Sequence, residues 1–209
     1  MKKLLHIIAT PRAEESRTLK ISASFLDAFR ESHSGWEIDE LNLFKEKLPS
    51  LYLKQVNGKY VLSGGKDLTG EFLVAWKEII QQIERFLSAD AYLISTPMWN
   101  FSIPYLLKHY IDIIVQPKYL FQYTPSGTTE GLVKNKKMIV ITSRGGDYNS
   151  PNTNAFDHQE PYLRTIFGFI GIKDIEFIKA QPMDIGTEIQ AQKIQEAQTK
   201  AEEVAKMFL

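Results

Sequence analysis

The sequence predicts an α/β protein in which helices cover both faces of an open parallel sheet. Short apolar segments alternate along the chain with longer segments whose apolar residues recur at the spacing of a helix face, and this alternation is typical of such folds. The chain has 209 residues, 44% of them hydrophobic and 24% charged, a composition typical of globular proteins. Because this length is sufficient for one well-packed domain, we expect a single domain over residues 1–209.

Five short apolar segments are the candidate strands. They comprise residues 4–9, 36–41, 91–96, 138–142 and 175–178. The first follows a basic tip, but its apolar part is only about six residues long, shorter than the core of a signal peptide, and charged residues follow at once. We therefore expect a buried strand there. Because no segment approaches the roughly 20 apolar residues that span a bilayer, we expect a cytoplasmic protein.

Helical periodicity accounts for most of the chain between these strands. The predicted helices comprise residues 18–30, 69–87, 104–115, 161–169 and the polar tail from residue 187. The first two carry clear apolar stripes that would face a core. Pro104 is tolerated in the first turn of its helix, and Ser102 is the candidate cap.

Two segments interrupt the alternation of strands and helices. Residues 48–66 mix glycines with polar and aromatic residues, and they predict a long excursion before the helix that contains Trp76. Residues 119–133 place bulky side chains on both sides of a Pro/Ser/Gly turn, a pattern that predicts a β-hairpin.

Composition excludes several classes of function. Lys and Arg together number 25, as do Asp and Glu, so no net charge attracts nucleic acid or an anionic membrane. The absence of cysteine excludes disulfides, thiolate metal sites, iron–sulfur clusters and a cysteine nucleophile, and it suits a reducing compartment. The histidines show no metal-ligand spacing, so we expect no metal site.

The loop after the first strand has the residues of an anion site. Ligands of open parallel sheets bind beyond the carboxyl ends of the strands, where this loop lies. It contains neither the G-x-G-x-x-G nor the G-x-x-x-x-G-K-[ST] pattern, but Thr10, Ser16 and Thr18 place three hydroxyls around a helix start. Unpaired N–H groups and the helix dipole favour a phosphate there. The alternative is that Ser16 only caps the helix.

The loop after the third strand is unusually apolar. It reads STPMWNFSIP and places Met98, Trp99 and Phe101 in a turn, where small polar residues are the rule. A flat apolar ligand would explain these side chains, and the turn's backbone groups would be free to bind the edge of a heteroaromatic ring. A loop folded onto its own core and a contact between subunits are the alternatives.

The loop after the fourth strand, TSRGGDY, carries a hydroxyl, a charge and two glycines. Ser143 and Arg144 provide the polar groups, while Gly145 and Gly146 would allow positive φ and close approach of the backbone to a ligand. An ordinary turn is the alternative.

Together the three loops would hold a phosphate at one end and a planar ring at the other, and flavin mononucleotide (FMN) has that shape.

Several longer motifs resemble one family. The stretches PMWNFSIP, LKHYID, FQYT, EGLVKNKKMIVITSRGGDY and PYLRTIFGFIGI resemble, at matching spacing, the FMN-dependent NADH-azoreductases, which are also quinone reductases of the flavodoxin-like superfamily. The resemblance extends from about residue 4 to residue 178. It implies a flavodoxin-like three-layer fold with a five-stranded parallel sheet of order 2-1-3-4-5.

The resemblance also assigns the cofactor contacts. Two positions depart from the family pattern: Trp99 stands where tyrosine is more usual, and Arg17 where a small polar or amide residue is common. The first would change a wall of the ring pocket, and the second would strengthen the phosphate contact. The implied cofactor-binding residues are Thr10, Ser16, Arg17 and Thr18 at the phosphate, Met98, Trp99, Asn100 and Phe101 at the ring, and Ser143, Arg144, Gly145 and Gly146 at its pyrimidine side.

The activity implied by the resemblance is two-electron, ping-pong reduction of quinones or azo compounds with NADH or NADPH as donor. The flavin carries the chemistry, so we expect no catalytic side chain. The backbone near Asn100 would bind the ring edge, and the Gly145 and Gly146 amides with the charge of Arg144 would favour the reduced ring. His158 could reach the substrate space. The lysines at 134–137 are expected to be solvated, with attraction of dinucleotide phosphates as the alternative.

The resemblance further implies a homodimer in which aromatic residues of one subunit cover the flavin of the other. Plausible contributors are Phe121, Tyr123, Phe156 and Tyr162. Two rival classes remain open: a flavodoxin-type electron carrier or FMN-dependent sensor without substrate turnover, and a flavodoxin-like binding module without a ligand. The neutral charge and the two added segments favour the enzyme over the carrier, and the joint presence of three loops disfavours the module.

Overall fold

A computed structural model, which describes residues 1–208, contains a five-stranded parallel sheet and a separate hairpin. In chain order the strands are β1 (Lys2–Ile8), β2 (Trp36–Asn42), β3 (Ala91–Ser95), β4 (Phe121–Tyr123), β5 (Thr129–Gly131), β6 (Lys137–Ser143) and β7 (Asp174–Ala180). The sheet order is β2-β1-β3-β6-β7. This is the predicted order 2-1-3-4-5 once only the strands of the large sheet are counted, and the pairs within it are all parallel.

Six α-helices accompany the strands. They are α1 (Arg17–Ser32), α2 (Leu53–Ser63), α3 (Gly70–Leu87), α4 (Tyr105–Ile114), α5 (Glu160–Phe169) and α6 (Thr187–Lys206). Helices α1 and α6 cover one face of the sheet, and α3, α4 and α5 cover the other. Among residues 1–208, none of the helices combines the length and the hydropathy of a membrane-spanning segment.

The core consists of two apolar clusters, one on each face of the sheet, because successive side chains of a strand point to opposite faces. In β3, Tyr92 and Ile94 belong to the apolar cluster under α3, α4 and α5, whereas Leu93 faces α1 and α6. All three side chains are fully buried. Because both faces of each central strand are covered, the strands appear in the sequence as continuous apolar runs.

The predicted excursion at residues 48–66 contains a helix, α2, that the sequence analysis did not identify. Tertiary contacts hold it in place: the indole Nε1 of Trp76 donates a hydrogen bond to the carbonyl oxygen of Gln55 at 2.9 Å. Gly58 allows the close approach, because a Cβ at this position would overlap the Trp76 ring. Exposed apolar side chains such as Leu53 and Tyr60 obscure a helical pattern in this segment.

Two further local predictions have opposite outcomes. The hairpin prediction is confirmed, because β4 and β5 pair antiparallel with Phe121 opposite Gly131. The prediction that Ser102 caps α4 is wrong, because Pro104 occupies the cap position and the helix begins at Tyr105. Ser102 instead pairs through its backbone with Trp99.

Candidate cofactor site

The three predicted loops meet at one edge of the sheet. Strands β1, β3 and β6 are parallel and in register there, with Ile8 opposite Ser95 and Ser95 opposite Ile141. The loops that follow them enclose a cavity of about 230 Å³. Of the twelve predicted contact residues, nine line this cavity: Thr10, Ser16, Arg17, Thr18, Met98, Trp99, Ser143, Arg144 and Gly145.

The other three predicted residues lie beside this cavity. Asn100 lines a neighbouring cavity of about 510 Å³ that also includes Trp99, Tyr105 and Tyr162. Gly146 follows Gly145 in the third loop, and Phe101 lies in the turn after β3, with about half of its side chain exposed. The structure therefore brings most of the predicted set together and leaves two aromatic rings of the turn open to the outside.

The start of α1 offers unpaired donors at the first end of the cavity. Ser16 caps the helix, its Oγ accepting a hydrogen bond from the N–H of Leu19 at 3.3 Å. Within residues 1–208, the N–H groups of Arg17 and Thr18 have no protein acceptor. Because the Ser16 hydroxyl can still donate its own proton, capping and anion binding are compatible. The helix dipole adds positive potential at the same place.

Hydrogen bonds tie the first and second loops to the third. The hydroxyls of Thr18 and Ser143 lie 2.8 Å apart, which links α1 to the end of β6. The N–H of Met98 donates to the carbonyl oxygen of Ser143 at 3.0 Å. These contacts hold the three loops in fixed positions relative to one another.

The apolar turn after β3 is a tight reversal of the chain. Trp99 and Ser102 exchange two backbone hydrogen bonds, each of 2.9 Å. Between them Asn100 has φ +46° and Phe101 has φ +69°. Positive φ at both central positions is the pattern of a type I′ turn, which asparagine tolerates well and phenylalanine poorly. Within residues 1–208, the N–H groups of Asn100 and Phe101 have no acceptor.

Neighbouring groups stabilise the strained Phe101. The N–H of His158 donates to its carbonyl oxygen at 2.9 Å. Its ring lies 5.4 Å from the Phe156 ring and 6.4 Å from the Tyr148 ring, between centroids. A strained backbone of this kind costs roughly 1–3 kcal/mol and persists where surrounding contacts enforce it. The turn is therefore held in a shape that leaves the N–H groups of Asn100 and Phe101 without an acceptor among residues 1–208.

The guanidinium of Arg144, whose charge was predicted to act on the reduced ring, is bound by other side chains inside the protein. It is 1% exposed and donates to Asp157 Oδ2 at 2.7 Å, with Glu160 Oε2 at 3.9 Å. Burial alone would raise the pKa of Glu160, but hydrogen bonds and charge from Arg164 and Lys179 lower it overall. Two carboxylates thus balance the charge of Arg144, and its buried Nη2 has no hydrogen-bond partner within residues 1–208.

Gln159 connects these loops and was missed in the sequence analysis. Its side chain is fully buried; Nε2 donates to the carbonyl oxygen of Pro97 at 2.9 Å, and Oε1 accepts from Thr142 and Arg144 at 2.8 and 3.1 Å. One amide therefore joins the apolar turn to the third loop. No local pattern marks this residue, because its partners come from distant segments.

Of the two glycines in the third loop, Gly145 has a close neighbour and Gly146 has only an ordinary contact. Both glycines would allow positive φ, and neither adopts it. A Cβ on Gly145 would collide with the carboxylate of Asp184, and a Cβ on Gly146 would lie 3.5 Å from the Tyr148 ring. Within residues 1–208, the N–H groups of both glycines have no acceptor.

Asp184 was also missed in the sequence analysis, and unlike Gln159 it lines the cavity. It lies in the loop between β7 and α6. Its Oδ1 is 2.6 Å from Nη1 of Arg17, so an ion pair joins the start of α1 to this loop. No pattern in the sequence indicates that Asp184 lies beside the predicted phosphate site.

The lysine run at 134–137 lies at the opposite edge of the sheet. It precedes and begins β6, whereas Ser143 at the other end of that strand borders the cavity. Six steps along a strand span about 20 Å. Lys134 pairs with Glu130, and Lys136 donates to the carbonyl oxygen of Ala89 at 2.7 Å. Direct contact with dinucleotide phosphates at the cavity is therefore not supported.

Comparisons with known proteins agree with this architecture. The sequence profile of the flavodoxin-like fold family matches residues 2–205. The FMN-dependent NADH:quinone oxidoreductase of Coprothermobacter proteolyticus is 37% identical over 209 residues, which covers 100% of both chains. The enzyme of the same name from Caldicellulosiruptor saccharolyticus is 37% identical over 211 residues, again over 100% of both.

Solved structures of similar proteins share the fold over the whole chain. The azoreductase from Bacillus anthracis str. Sterne has a TM-score of 0.89 and 30% identity, covering 99% of this chain and 100% of its own. The FMN-dependent NADH-azoreductase from Bacillus anthracis str. Ames Ancestor, solved in complex with FMN, has a TM-score of 0.87 and 29% identity, with 99% of each chain covered.

Fold and site together define a flavodoxin-like α/β protein with a cavity at the carboxyl edge of its sheet. Within that class, the chain belongs to the family that contains the FMN-dependent NADH:quinone oxidoreductases and NADH-azoreductases.

Proposed function

We propose that this protein is an FMN-dependent oxidoreductase that takes electrons from NADH or NADPH and reduces quinones and azo compounds. The observation that carries the proposal is the convergence of three loops, each with unpaired backbone N–H groups, on one region at the carboxyl edge of the sheet. The similarity to the oxidoreductases described above spans the whole chain, so it includes all three loops.

The start of α1 fits the phosphate of FMN. The free N–H groups of Arg17 and Thr18 and the hydroxyl of Ser16 are hydrogen-bond donors, and the helix dipole favours an anion. The Arg17 side chain, 28% exposed, adds a positive charge at the cavity wall. Thr10 borders the same end of the cavity and contributes a further hydroxyl.

The turn after β3 and the third loop fit the flavin ring. Met98 and Trp99 offer flat, polarisable surface, and the N–H groups of Asn100 and Phe101 are available to acceptors on the ring edge. Across the cavity, the N–H of Gly145 is available in the same way. These residues would hold FMN, and the bound cofactor would supply hydride and two-electron transfer between the nicotinamide and the acceptor.

The protein's own part in the reaction is orientation and electrostatics. Gln159 binds both the turn after β3 and Arg144 of the third loop. The N–H groups proposed to bind the ring are therefore fixed before a ligand arrives. Donors held in place stabilise negative charge on the ring without reorganisation. Because the guanidinium of Arg144 is paired with Asp157, we assign this stabilisation to backbone N–H groups and give Arg144 a positioning role.

A homodimer is part of the proposal. Aromatic residues around the cavity are exposed, among them Phe101, Tyr105 and Phe156, and exposed aromatic clusters are common at interfaces. Of the predicted roof residues, Tyr123, Phe156 and Tyr162 stay in the proposal as contributors to the partner's site. Phe121 is removed from it, because its ring is 6% exposed and packs against Phe169. Light scattering tests this part: a fully active monomer would exclude it.

The choice of donor and the cellular location are further parts of the proposal. Both NADH and NADPH are included as donors. In the sequence we can place neither an acidic residue that would bind the ribose of NADH nor an arginine that would bind the 2′-phosphate of NADPH. Rates with the two donors, measured at equal concentration, decide between them. The cytoplasmic location stays a prediction, and the absence of cysteine suits a reducing compartment.

An anaerobic mixing experiment separates the enzyme from an electron carrier. The FMN-loaded protein is mixed with NADH in a stopped-flow instrument, and the flavin absorbance is followed. Bleaching within seconds, reversed by a benzoquinone or an azo dye, is the result expected of the reductase. A flavin that stays oxidised, or a protein that takes up no FMN, would contradict the proposal.

A further inference from the structure

A carboxylate lies across the phosphate end of the cavity. Asp184 accepts a hydrogen bond from Nη1 of Arg17 at 2.6 Å, and its own N–H donates to the carbonyl oxygen of Gly145 at 3.1 Å. The carboxylate also occupies the space that a Cβ on Gly145 would need. Asp184 thus bridges the start of α1 and the third loop, the two walls between which the cofactor is proposed to lie.

This arrangement conflicts with a bound phosphate. A phosphate monoester carries a charge of about −1.5 to −2 at neutral pH, so it would be repelled by a carboxylate attached to the same arginine. The cavity of about 230 Å³ is also smaller than the roughly 300–1,000 Å³ of typical ligand pockets. The phosphate of an incoming FMN therefore needs the charge of Arg17, which Asp184 already pairs.

Asp184 is free to move away. Its side chain is 64% exposed, and Arg17 is its one ion-pair partner among residues 1–208. It lies two residues before Gly186, whose φ of +134° marks a turn into α6. Rotation of the carboxylate into solvent breaks one exposed ion pair and disturbs no buried group.

We propose that Asp184 is an internal competitor of the FMN phosphate. It holds Arg17 in the flavin-free protein and gives it up when the phosphate binds, so it weakens FMN binding and leaves riboflavin, which has no phosphate, unaffected. Asp184 thereby sets how strongly the protein prefers FMN to riboflavin. The inference rests on the proposed FMN site.

Flavin titrations test this competition. Flavin-free protein is titrated with FMN and, separately, with riboflavin, and quenching of flavin fluorescence gives the dissociation constants. Asp184→Asn keeps the size of the side chain and removes its charge. We expect this variant to bind FMN about two- to fivefold more tightly, the size of an exposed ion pair, and to bind riboflavin as the unaltered protein does. High salt should reduce the gain, because it screens exposed charges.

Glu188→Gln is the matched control. It removes the same charge four residues further along, at an exposed position without an ion pair within residues 1–208, and it should leave both dissociation constants unchanged. Equal or weaker FMN binding by Asp184→Asn, or an equal gain for riboflavin, would overturn the inference while the FMN site stands. If the unaltered protein quenches neither flavin, the proposed function itself fails.

Discussion

His6 links the acid stability of the protein to the packing beneath the site. It lies in β1 with 2% of its surface exposed, and its Nε2 is 2.7 Å from the hydroxyl of Ser95. The same hydroxyl is 2.6 Å from that of Ser22, which donates to the carbonyl oxygen of Thr18 at 3.0 Å. Burial, together with the charge of Arg30, lowers the pKa of His6 to about 3.

The direction of the pH dependence follows from the protonation of His6 in the folded and unfolded states. In the unfolded chain His6 titrates near 6.5, so between pH 6.5 and 3 the unfolded chain binds a proton that the folded protein does not. The contribution of His6 is therefore fully present above pH 6.5 and is lost as the pH falls through this window. The loss is about 2 kcal/mol between pH 7 and pH 5 and reaches about 4 kcal/mol at pH 3.

Urea denaturation at pH 7 and pH 5, followed by circular dichroism, measures this contribution. His6→Gln keeps a polar side chain beside Ser95 but does not titrate. We expect it to lower the free energy of unfolding at pH 7 and to reduce the further loss between pH 7 and pH 5 by about 2 kcal/mol relative to the unaltered protein. His158→Gln, which removes an exposed histidine, is the control. An equal loss in His6→Gln and the unaltered protein would refute the reasoning.

Two further variants test contacts around the site and its support. Arg144→Met should lower the free energy of unfolding by about 3–5 kcal/mol, because Asp157 would keep a largely buried charge without its partner. Urea denaturation measures this change, and a loss below about 1 kcal/mol would show that the ion pair contributes little. Gly58→Ala should cost about 1–3 kcal/mol, because the new methyl group would overlap the buried ring of Trp76. Gly35→Ala, which has open space around it, should change the stability by less than about 0.5 kcal/mol, and similar losses in both glycine variants would exclude the packing explanation.

The sequence by itself determined the fold class and the position of the three loops, and its resemblance to a known family implied the strand order. Apolar periodicity is a local property, and the carboxyl ends of parallel strands must meet at one edge of the sheet. The start of α1 could also be predicted from the sequence, because the cap is local: the Ser16 side chain binds the N–H of Leu19, three residues further on. Helix α2 could not be predicted from the sequence, because its position depends on the contact with Trp76 rather than on an apolar periodicity of its own.

Only the tertiary structure decided which polar groups face the cavity. Arg144 was predicted to turn its charge toward a ligand, yet Asp157 and Gln159 bind its guanidinium inside the protein. Asp184 reaches Arg17 from 167 residues away along the chain. A charged side chain points toward whichever partner the folded chain brings within reach, and a partner distant in sequence leaves no local signal.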